Sequence, residues 1–422
     1  MSIIRFLDFA RNDNCHSEEV GDRRKNLITV YNFDEIIPRL GTASVKWDEF
    51  EPDALPLWVA DMDFKASPAI LAALQRRLDH GIFGYELLPQ SYFAAIANWF
   101  DRRHGWKGIT REQVIPTTGV IPAYSACIRA MARVGDNVIV QTPVYNAFFP
   151  AIRNNGCREL CNTLVYKDNT YTIDWEDLEK KAADPKTTVM LVCNPHNPAG
   201  RVWTREELER IGRICLKHGV FVISDEIHCE LTYPGHDYTP WATLPEEMVR
   251  NSASCISPTK SFNIAGIQIA NIFAADPDVC RRIDRAINDN ECCDVNVFGA
   301  TALEAAYNES EQWLDALRAY LWENAQTVYA FLSKELPQVT ALPLEGTYLM
   351  WLDCRAARHE GEPFEGFSER FADHLRHRAK LVLSTGTIYG ADAEGFERLN
   401  IACPRATLLE GLRRLKEGFL NY

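Results

Sequence analysis

The sequence predicts an α/β fold, with a mainly parallel, doubly wound sheet in a large domain and a smaller α/β domain at the C-terminal end. Apolar runs that end in polar turns recur at residues 138–140, 189–193, 220–223 and 272–275. Charged segments with helical patterning, such as residues 204–218, lie between them. Strands that alternate with helices favour parallel pairing, because a parallel connection needs room for a crossover.

The first eighty residues predict little regular structure before one helix. Charged residues interrupt the apolar positions of residues 1–30, so this N-terminal extension lacks the unbroken apolar core of a signal peptide. Prolines at positions 38, 52, 56 and 68 favour extended and turning backbone. Apolar residues then share one helical face between Ala69 and His80.

The pattern changes near Trp313. A long helix is predicted through Leu332, followed by strands at 339–353 and 380–383 and a helix at 408–419. We therefore expect a large domain at residues 81–312 and a small C-terminal domain at residues 313–422.

Residues 114–123 predict a strand, a hydroxyl-rich turn and the start of a helix. Free backbone amides at a helix N-terminus attract phosphate, which makes Gly119, Val120 and Ile121 candidate backbone contacts. Many junctions of this kind bind nothing. The pattern alone leaves both interpretations open.

Lys260 follows an apolar run and lies among hydroxyl side chains in the segment SCISPTKSFNIAG, residues 254–266. A partly desolvated lysine loses its proton readily, and the free amine attacks aldehydes. Ser257 offers a hydroxyl for a phosphate. The alternative is a surface lysine in a polar loop, since four-residue patterns occur often by chance.

Two more polar residues follow predicted strands. Asp225 ends the apolar run at 219–225, and a buried carboxylate there needs a cationic partner such as a protonated pyridine nitrogen. Its alternative role is to cap a helix. Asn197 lies in NPHNPAG, residues 194–200, where its amide could donate to a phenolate oxygen; alone, this pattern indicates only a turn.

Three segments together, NPHNPAG at 194–200, SDEIH at 224–228 and SPTKSFNIAG at 257–266, resemble the fold-type I, class I/II aminotransferase superfamily. The resemblance runs from about residue 31 to the C-terminus. Further matches at 58–64 (WVADMDF), 83–85 (FGY) and 346–353 (GTYLMWLD) resemble its cystathionine β-lyase-like C-S lyase branch.

The resemblance implies a pyridoxal 5'-phosphate enzyme with Lys260 as Schiff-base lysine and general base, and with Asp225 as partner of the ring nitrogen. It implies that Tyr145 stacks on the ring and that Asn197 contacts both cofactor and substrate. Arg398 matches the arginine that binds the substrate carboxylate, for which a guanidinium is suited by its paired donors.

The same resemblance implies a homodimer with shared active sites, in which Tyr85 reaches the neighbouring subunit's cofactor phosphate and substrate. Residues 31–80 would form an arm and part of the small domain. Two positions depart from many aminotransferases. Gln268 replaces a phosphate-binding arginine, and the cofactor contact His228 replaces a tyrosine. Both departures fit the C-S lyase branch.

Three functions remain open from the sequence. The first is β-elimination at a carbon–sulfur bond of L-cystathionine or a related cysteine conjugate, giving pyruvate, ammonia and a thiol. The second is transamination of an amino acid with a 2-oxo acid, which shares the early steps. The third is a cofactor-bearing protein that binds a regulatory partner, for which Lys260 would be unnecessary.

Composition argues against two classes of partner, while the small amino-acid substrate and the second subunit are what the resemblance implies. The net charge of −13 argues against nucleic acid and anionic membranes as partners. No stretch is long enough to cross a membrane. The 13 cysteines include no C-x-x-C pair, which predicts reduced thiols of a cytoplasmic protein. Cys157 with Cys161, and Cys292 with Cys293, lack the spacing of a zinc site, so we expect no metal.

Overall fold

The computed structural model describes residues 31–289 and 294–422; the predicted extension at 1–30 and the pair Cys292-Cys293 lie outside these ranges. The described strands are β1 (Leu55–Pro56), β2 (Val114–Thr117), β3 (Asn137–Val140), β4 (Arg158–Cys161), β5 (Val165–Lys167), β6 (Thr170–Thr172), β7 (Thr187–Cys193), β8 (Phe221–Asp225), β9 (Ser252–Ile256), β10 (Ala270–Phe273), β11 (Thr340–Ala341), β12 (Leu349–Asp353), β13 (Leu381–Val382), β14 (Ser384–Thr385) and β15 (Phe396–Asn400).

The described α-helices are α1 (Val45–Asp48), α2 (Pro68–His80), α3 (Gln90–His104), α4 (Val120–Met131), α5 (Phe148–Asn154), α6 (Trp175–Ala182), α7 (Arg205–His218), α8 (Glu246–Arg250), α9 (Pro277–Asn288), α10 (Val297–Glu309), α11 (Glu311–Glu335), α12 (Phe367–Arg378) and α13 (Arg405–Leu420). The helices predicted near residues 69–80, 204–218, 313–332 and 408–419 are confirmed. Short 3-10 turns, including Ala265–Ile267, complete the connections.

Seven strands form the main sheet in the order β2-β10-β9-β8-β7-β3-β4. Neighbours from β9 through β4 pair in parallel, whereas β10 is antiparallel to both β9 and β2. The prediction of a mainly parallel sheet is therefore confirmed. The run near 272–275 is its one antiparallel member because the connection from β9 to β10 contains only a 3-10 turn and no crossover helix.

The central strands are buried on both faces. Every residue of β8 and β9 is buried, and Met190 and Val222 pack into one core cluster while Leu191 and Ile223 pack into another on the opposite face. Helices that cover both faces account for the continuous apolar runs in the sequence.

A four-stranded antiparallel sheet, in the order β11-β12-β15-β14, lies in the C-terminal part. The single strand predicted at 339–353 was wrong, since β11 and β12 are separated by a loop. Thr347 has a φ of 70°, and a Cβ on Gly346 would lie 2.8 Å from Pro195 Cβ. The loop therefore leaves the extended conformation to approach the NPHNPAG segment closely.

The arm packs against this C-terminal part. Strand β1 pairs in parallel with β13, and the Asn400 backbone N–H donates to the Leu57 carbonyl at 2.9 Å. The boundaries at residues 30, 80 and 312 stay predictions.

The fold brings the polar turns of the sequence to one edge of the main sheet. Strands β2, β3, β7, β8 and β9 run in the same direction, so their carboxyl ends all meet there. In sheets of this class, ligands bind at such an edge. Of the described helices, none has the length and apolar content needed to cross a bilayer.

Candidate active site

Lys260 lies in the turn between β9 and β10, and its Nζ donates to the Ala60 carbonyl at 2.5 Å. Burial lowers the pKa of Lys260 to about 8, and the positive charge of Arg398 acts in the same direction. The carboxylates of Asp61 and Asp225 oppose this shift. About a tenth of the amine is then unprotonated at pH 7, which makes it available as a nucleophile and base.

Asp225 ends β8 with its side chain almost fully buried. Its Oδ1 accepts from the Ile227 backbone N–H at 3.1 Å, and no ion pair joins Asp225 to a cation among the described residues. Burial raises the pKa of Asp225 to about 7, with a smaller contribution from the charge of Glu226. A buried carboxylate that lacks a counter-ion favours a cationic ligand.

A cavity of about 270 Å³ lies between these two side chains and the N-terminus of α4. Its lining residues are Ala60, Thr118, Gly119, Val120, Ile121, Pro122, Tyr124, Tyr145, Cys193, Asn197, Asp225, Ile227, His228, Thr259, Lys260, Ala265 and Gln268. Helix α4 begins at Val120, so the amides of its first turn lie at the cavity wall. Those amides and the helix dipole favour an anion.

The structure also brings Tyr145, Asn197 and His228 to this cavity. Burial raises the pKa of Tyr145 to about 12, so its hydroxyl stays neutral. Burial lowers the pKa of His228 to about 3, and the charges of Lys260 and Arg398 lower it further. The Nδ1 atom of this neutral imidazole is buried without a hydrogen-bond partner among the described residues.

Arg398 lies on β15 with 4% of its surface exposed. Its Nη1 donates to Asn197 Oδ1 at 2.9 Å, its Nη2 donates to the Trp58 carbonyl at 2.8 Å, and its Nε has no partner among the described residues. The guanidinium is thus a buried cation held by neutral acceptors. A carboxylate ligand beside Asn197 would supply the missing negative charge.

Three predicted residues are not among the lining residues of the cavity, namely Arg398, which contacts the lining residue Asn197, and Ser257 and Tyr85. The Ser257 hydroxyl donates to the Ile269 carbonyl at 2.7 Å and lies 2.7 Å from the hydroxyl of Thr259, which does line the cavity. Tyr85 is fully exposed and is not among the lining residues. Within one chain, therefore, Ser257 contacts the cavity wall only through Thr259, and Tyr85 does not line the cavity.

Some site residues were not predicted from the sequence. Thr259 is adjacent to Lys260 and carries a hydroxyl, so it could have been predicted as a site residue from the sequence. Tyr348 donates to the Ala60 carbonyl at 2.9 Å and lies in the quoted GTYLMWLD segment. The roles of the Trp58 and Ala60 carbonyls could not be predicted from the sequence, because every residue has a backbone carbonyl.

One group of potential metal ligands occurs in the described residues, formed by His104, Cys229 and Glu230. The carboxylate of Glu230 already accepts from Trp99, Arg103 and His104 at 2.6–2.9 Å. These donors use both carboxylate oxygens, and Arg103 adds positive charge, so the group stabilises the packing of α3 and does not resemble a metal site.

Comparison with known proteins identifies the family. The sequence model of "Aminotransferase class I and II" matches residues 52–415. Cystathionine beta-lyase PatB of Bacillus subtilis is 44% identical over 391 residues, covering 91% of this chain and 99% of the relative. Protein MalY of Escherichia coli is 33% identical, covering 92% of this chain and 98% of that protein.

Among solved structures, cystalysin from Treponema denticola, which contains pyridoxal 5'-phosphate, is 34% identical with a TM-score of 0.88, covering 93% of this chain and 99% of cystalysin. The expected fold is therefore confirmed. Since the family match and these alignments span most of its length, the chain belongs to the class I and II aminotransferase family.

Proposed function

We propose that the protein is a pyridoxal-phosphate-dependent carbon–sulfur β-lyase, which cleaves L-cystathionine or a related cysteine S-conjugate to pyruvate, ammonia and a thiol. The observation that carries the proposal is the arrangement of three residues, of which Lys260 and Asp225 line one cavity and Arg398 contacts the lining residue Asn197. Lys260 has a pKa lowered to about 8, Asp225 is a buried carboxylate without a cation, and Arg398 is a buried cation bonded to Asn197 in the wall.

The lining residues fit the cofactor. The first-turn amides of α4 and the hydroxyls of Thr118 and Thr259 suit the phosphate, Tyr145 suits a ring face, and Asp225 suits the ring nitrogen. Asn197 and His228 are polar groups for the ring oxygen. When bound, pyridoxal phosphate supplies an aldehyde that condenses with amines and a ring that withdraws electrons from the substrate Cα.

The chain's own residues account for the remaining chemistry. Arg398 binds the substrate carboxylate, which takes the place of the neutral acceptors that now contact its guanidinium. This contact orients the substrate Cα. Lys260 then removes the Cα proton, for which a pKa near 8 keeps the amine basic yet partly free. Asp225 retains a proton at the ring nitrogen. Departure of the thiolate from Cβ completes the elimination.

Transamination is the second candidate, because the family match to aminotransferases favours it. It requires the same lysine, aspartate and arginine, and it differs in where the proton returns. The high identity to a named cystathionine beta-lyase favours elimination. A regulatory binding protein is disfavoured, since a binding surface alone has no need of a lysine with a lowered pKa.

We further propose a homodimer whose sites share Tyr85. Exposed apolar side chains surround Tyr85 in its segment, namely Ile82, Phe83 and Leu87. An exposed apolar cluster of this kind suits burial against a second copy. Gln268 lines the cavity where an arginine would neutralise phosphate, so a hydroxyl from the partner chain would add a needed donor.

A cytoplasmic location is part of the proposal. The described cysteines are all free thiols and most are buried, which is typical of a reducing compartment.

The deciding experiment incubates the purified protein with L-cystathionine and measures pyruvate and free thiol. A parallel reaction contains an amino acid and 2-oxoglutarate, with the new amino acid measured. Pyruvate and thiol in equal amounts support the lyase. Amino-group transfer without thiol release would identify the protein as an aminotransferase, and no product in either reaction would contradict both.

A further inference from the structure

Residues 58–62, which we call the carbonyl segment, lie outside helices and strands, yet each of their backbone carbonyls accepts from a distant side chain. The donors are Arg398 for Trp58 (2.8 Å), Asn400 for Val59 (2.6 Å), Lys260 and Tyr348 for Ala60 (2.5 and 2.9 Å), Asn400 and Lys46 for Asp61 (2.7 and 3.3 Å), and Asn263 and Arg39 for Met62 (3.0 and 3.2 Å). Side chains therefore fix the direction in which each carbonyl points.

Asn400 contributes two of these contacts. Its side chain is fully buried, and its Nδ2 donates to the carbonyls of Val59 and Asp61, one on each side of Ala60. Its Oδ1 accepts from the Ala402 backbone N–H at 2.8 Å. A rotated amide would place N–H groups against that donor, so the observed orientation is the one that satisfies all three contacts.

The side chain of Arg398, a site residue on strand β15, lies on the same face of the sheet as the side chain of Asn400. Arg398 and Asn400 are two residues apart on β15, so their side chains project from the same side of the sheet. The strand that carries the candidate carboxylate-binding arginine thus also holds the carbonyl segment over Lys260.

We propose that Asn400 is a positioning residue for Lys260, which acts by holding the carbonyls on both sides of Ala60 so that the Ala60 carbonyl accepts from the lysine amine. This inference rests on the proposed role of Lys260 as the reacting lysine. A fixed acceptor directs one N–H of the amine toward Ala60, and the lone pair then points away from that carbonyl. The same acceptor favours the protonated amine.

The test compares two asparagines with the same chemistry. Asn400→Ser leaves one hydroxyl where the amide made two contacts. Asn324→Ser is the matched control, because Asn324 is equally buried and its Nδ2 donates to the carbonyls of Ile401 and Cys403 at 2.8 and 3.0 Å, outside the carbonyl segment. Both full-length variants are first checked for native circular dichroism.

The main measurement is the pH dependence of Lys260 acetylation by trace acetic anhydride in full-length protein freed of cofactor, followed by peptide mass spectrometry. Wild type and Asn324→Ser should titrate near pH 8. Asn400→Ser should titrate about one unit lower, which raises the unprotonated fraction of the amine by up to about tenfold at pH values below both midpoints. In the cofactor-loaded enzyme, kcat should nevertheless fall about tenfold, because the lone pair of Lys260 is no longer held in one direction, while KM stays within about twofold because Arg398 is unchanged.

A second variant tests the acceptor itself. Tyr348→Phe removes the other donor to the Ala60 carbonyl, which strengthens the contact with Lys260 and should raise its titration midpoint. Unchanged midpoints in Asn400→Ser and Tyr348→Phe would overturn the inference, and so would equal shifts in Asn400→Ser and Asn324→Ser. An Asn400→Ser protein that does not fold, beside a folded Asn324→Ser, would also count against it by giving Asn400 a general structural role.

The outcome is separable from that of the proposed function. Lys260 midpoints that shift as expected in a protein unable to cleave cystathionine would refute the lyase and retain the positioning role. Full lyase activity with unchanged Lys260 midpoints would support the lyase and refute the positioning role of Asn400.

Discussion

Lys260 and Asp225 share one buried environment, which shifts their pKa values toward each other. Burial disfavours the charged form of each group, so the pKa of the lysine falls to about 8 and that of the aspartate rises to about 7. Both groups then exchange protons near neutral pH. Pairs of this kind are typical of sites that transfer protons.

The first prediction concerns Lys260→Ala. We expect the variant to lose the borohydride-reducible adduct with pyridoxal phosphate and to lose turnover by at least about a thousandfold, because nucleophile and base are removed together. Mass spectrometry after borohydride reduction measures the adduct. Lys65→Ala, at an exposed surface lysine, is the control. An adduct that persists in Lys260→Ala would assign the cofactor to another lysine.

The second prediction uses Asp225→Asn. The folded-state pKa of Asp225 is raised from 3.8 to about 7, so its contribution to stability is complete below about pH 4 and is lost as the pH rises through 7. The cofactor-free variant should therefore gain about 1.4 kcal/mol per pH unit relative to wild type between roughly pH 4 and 7. Urea unfolding at several pH values measures this difference.

Buried Glu226 also has a raised pKa, but it is present in both proteins and its effect cancels in the comparison. Turnover of the cofactor-loaded Asp225→Asn variant should fall on the order of a hundredfold or more, since a charge that stabilises the reacting ring is lost. A flat stability difference would mean that Asp225 is already ionised at low pH. Near-normal turnover would place the ring-nitrogen partner elsewhere.

At the scale of single elements, helix α4 carries the proposed anion site. Its first residue, Val120, lies in the cavity wall, and its N-cap Gly119 has extended backbone that needs no glycine-specific conformation. The site is therefore made by the free amides of the first turn, and a change that removes one amide tests it without removing a side-chain contact to phosphate.

The third prediction is that Val120→Pro weakens cofactor binding about tenfold or more. Proline is tolerated at the first position of a helix, where it deletes one N–H. A hydrogen bond to a charged group contributes about 1.5–3 kcal/mol. Absorbance titration with pyridoxal phosphate gives Kd. Gln90→Pro makes the same change at the start of α3, away from the cavity, and should leave Kd unchanged. Equal effects of both substitutions would indicate damaged folding.

Features of these elements could be predicted from the sequence where particular side chains distinguish them, and not where only the backbone does. The strands ending at Cys193 and Asp225 were predicted because burial on both faces leaves a continuous apolar run. The break at Gly346 and Thr347 was missed, since a loop that approaches other backbone needs no polar residue. Lys260, Asp225 and Asn197, which line one cavity, were predicted from their side-chain chemistry together with the family resemblance. The hydrogen bonds of the carbonyl segment were not predicted, because they involve backbone groups.

At the scale of the whole molecule, the cavity is complete in one chain except for the proposed contribution of Tyr85. This tyrosine is exposed together with apolar neighbours that gain from burial. In the proposed dimer, assembly and cofactor binding would be linked, because a ligand that needs two chains stabilises the pair.

The fourth prediction is that dilution of the dimer releases cofactor and that Tyr85→Phe weakens cofactor retention several-fold without abolishing the adduct at Lys260. Sedimentation at several concentrations, with cofactor absorbance followed in the same cell, measures both. Tyr422→Phe, at the C-terminal residue where the hydroxyl donates to Glu362, is the control. A monomer with full cofactor content would exclude the shared site.

The bond between Arg398 and the Trp58 carbonyl joins residues 340 positions apart. A chain emerging from the ribosome therefore exposes Lys260 and Asp225 well before the strand that carries Arg398 has been synthesised. In the proposed function, those two residues alone would suit cofactor capture, but they lack the guanidinium proposed to bind the substrate carboxylate. The proposed substrate selection would thus be acquired late in synthesis, when the C-terminal sheet has closed against the arm.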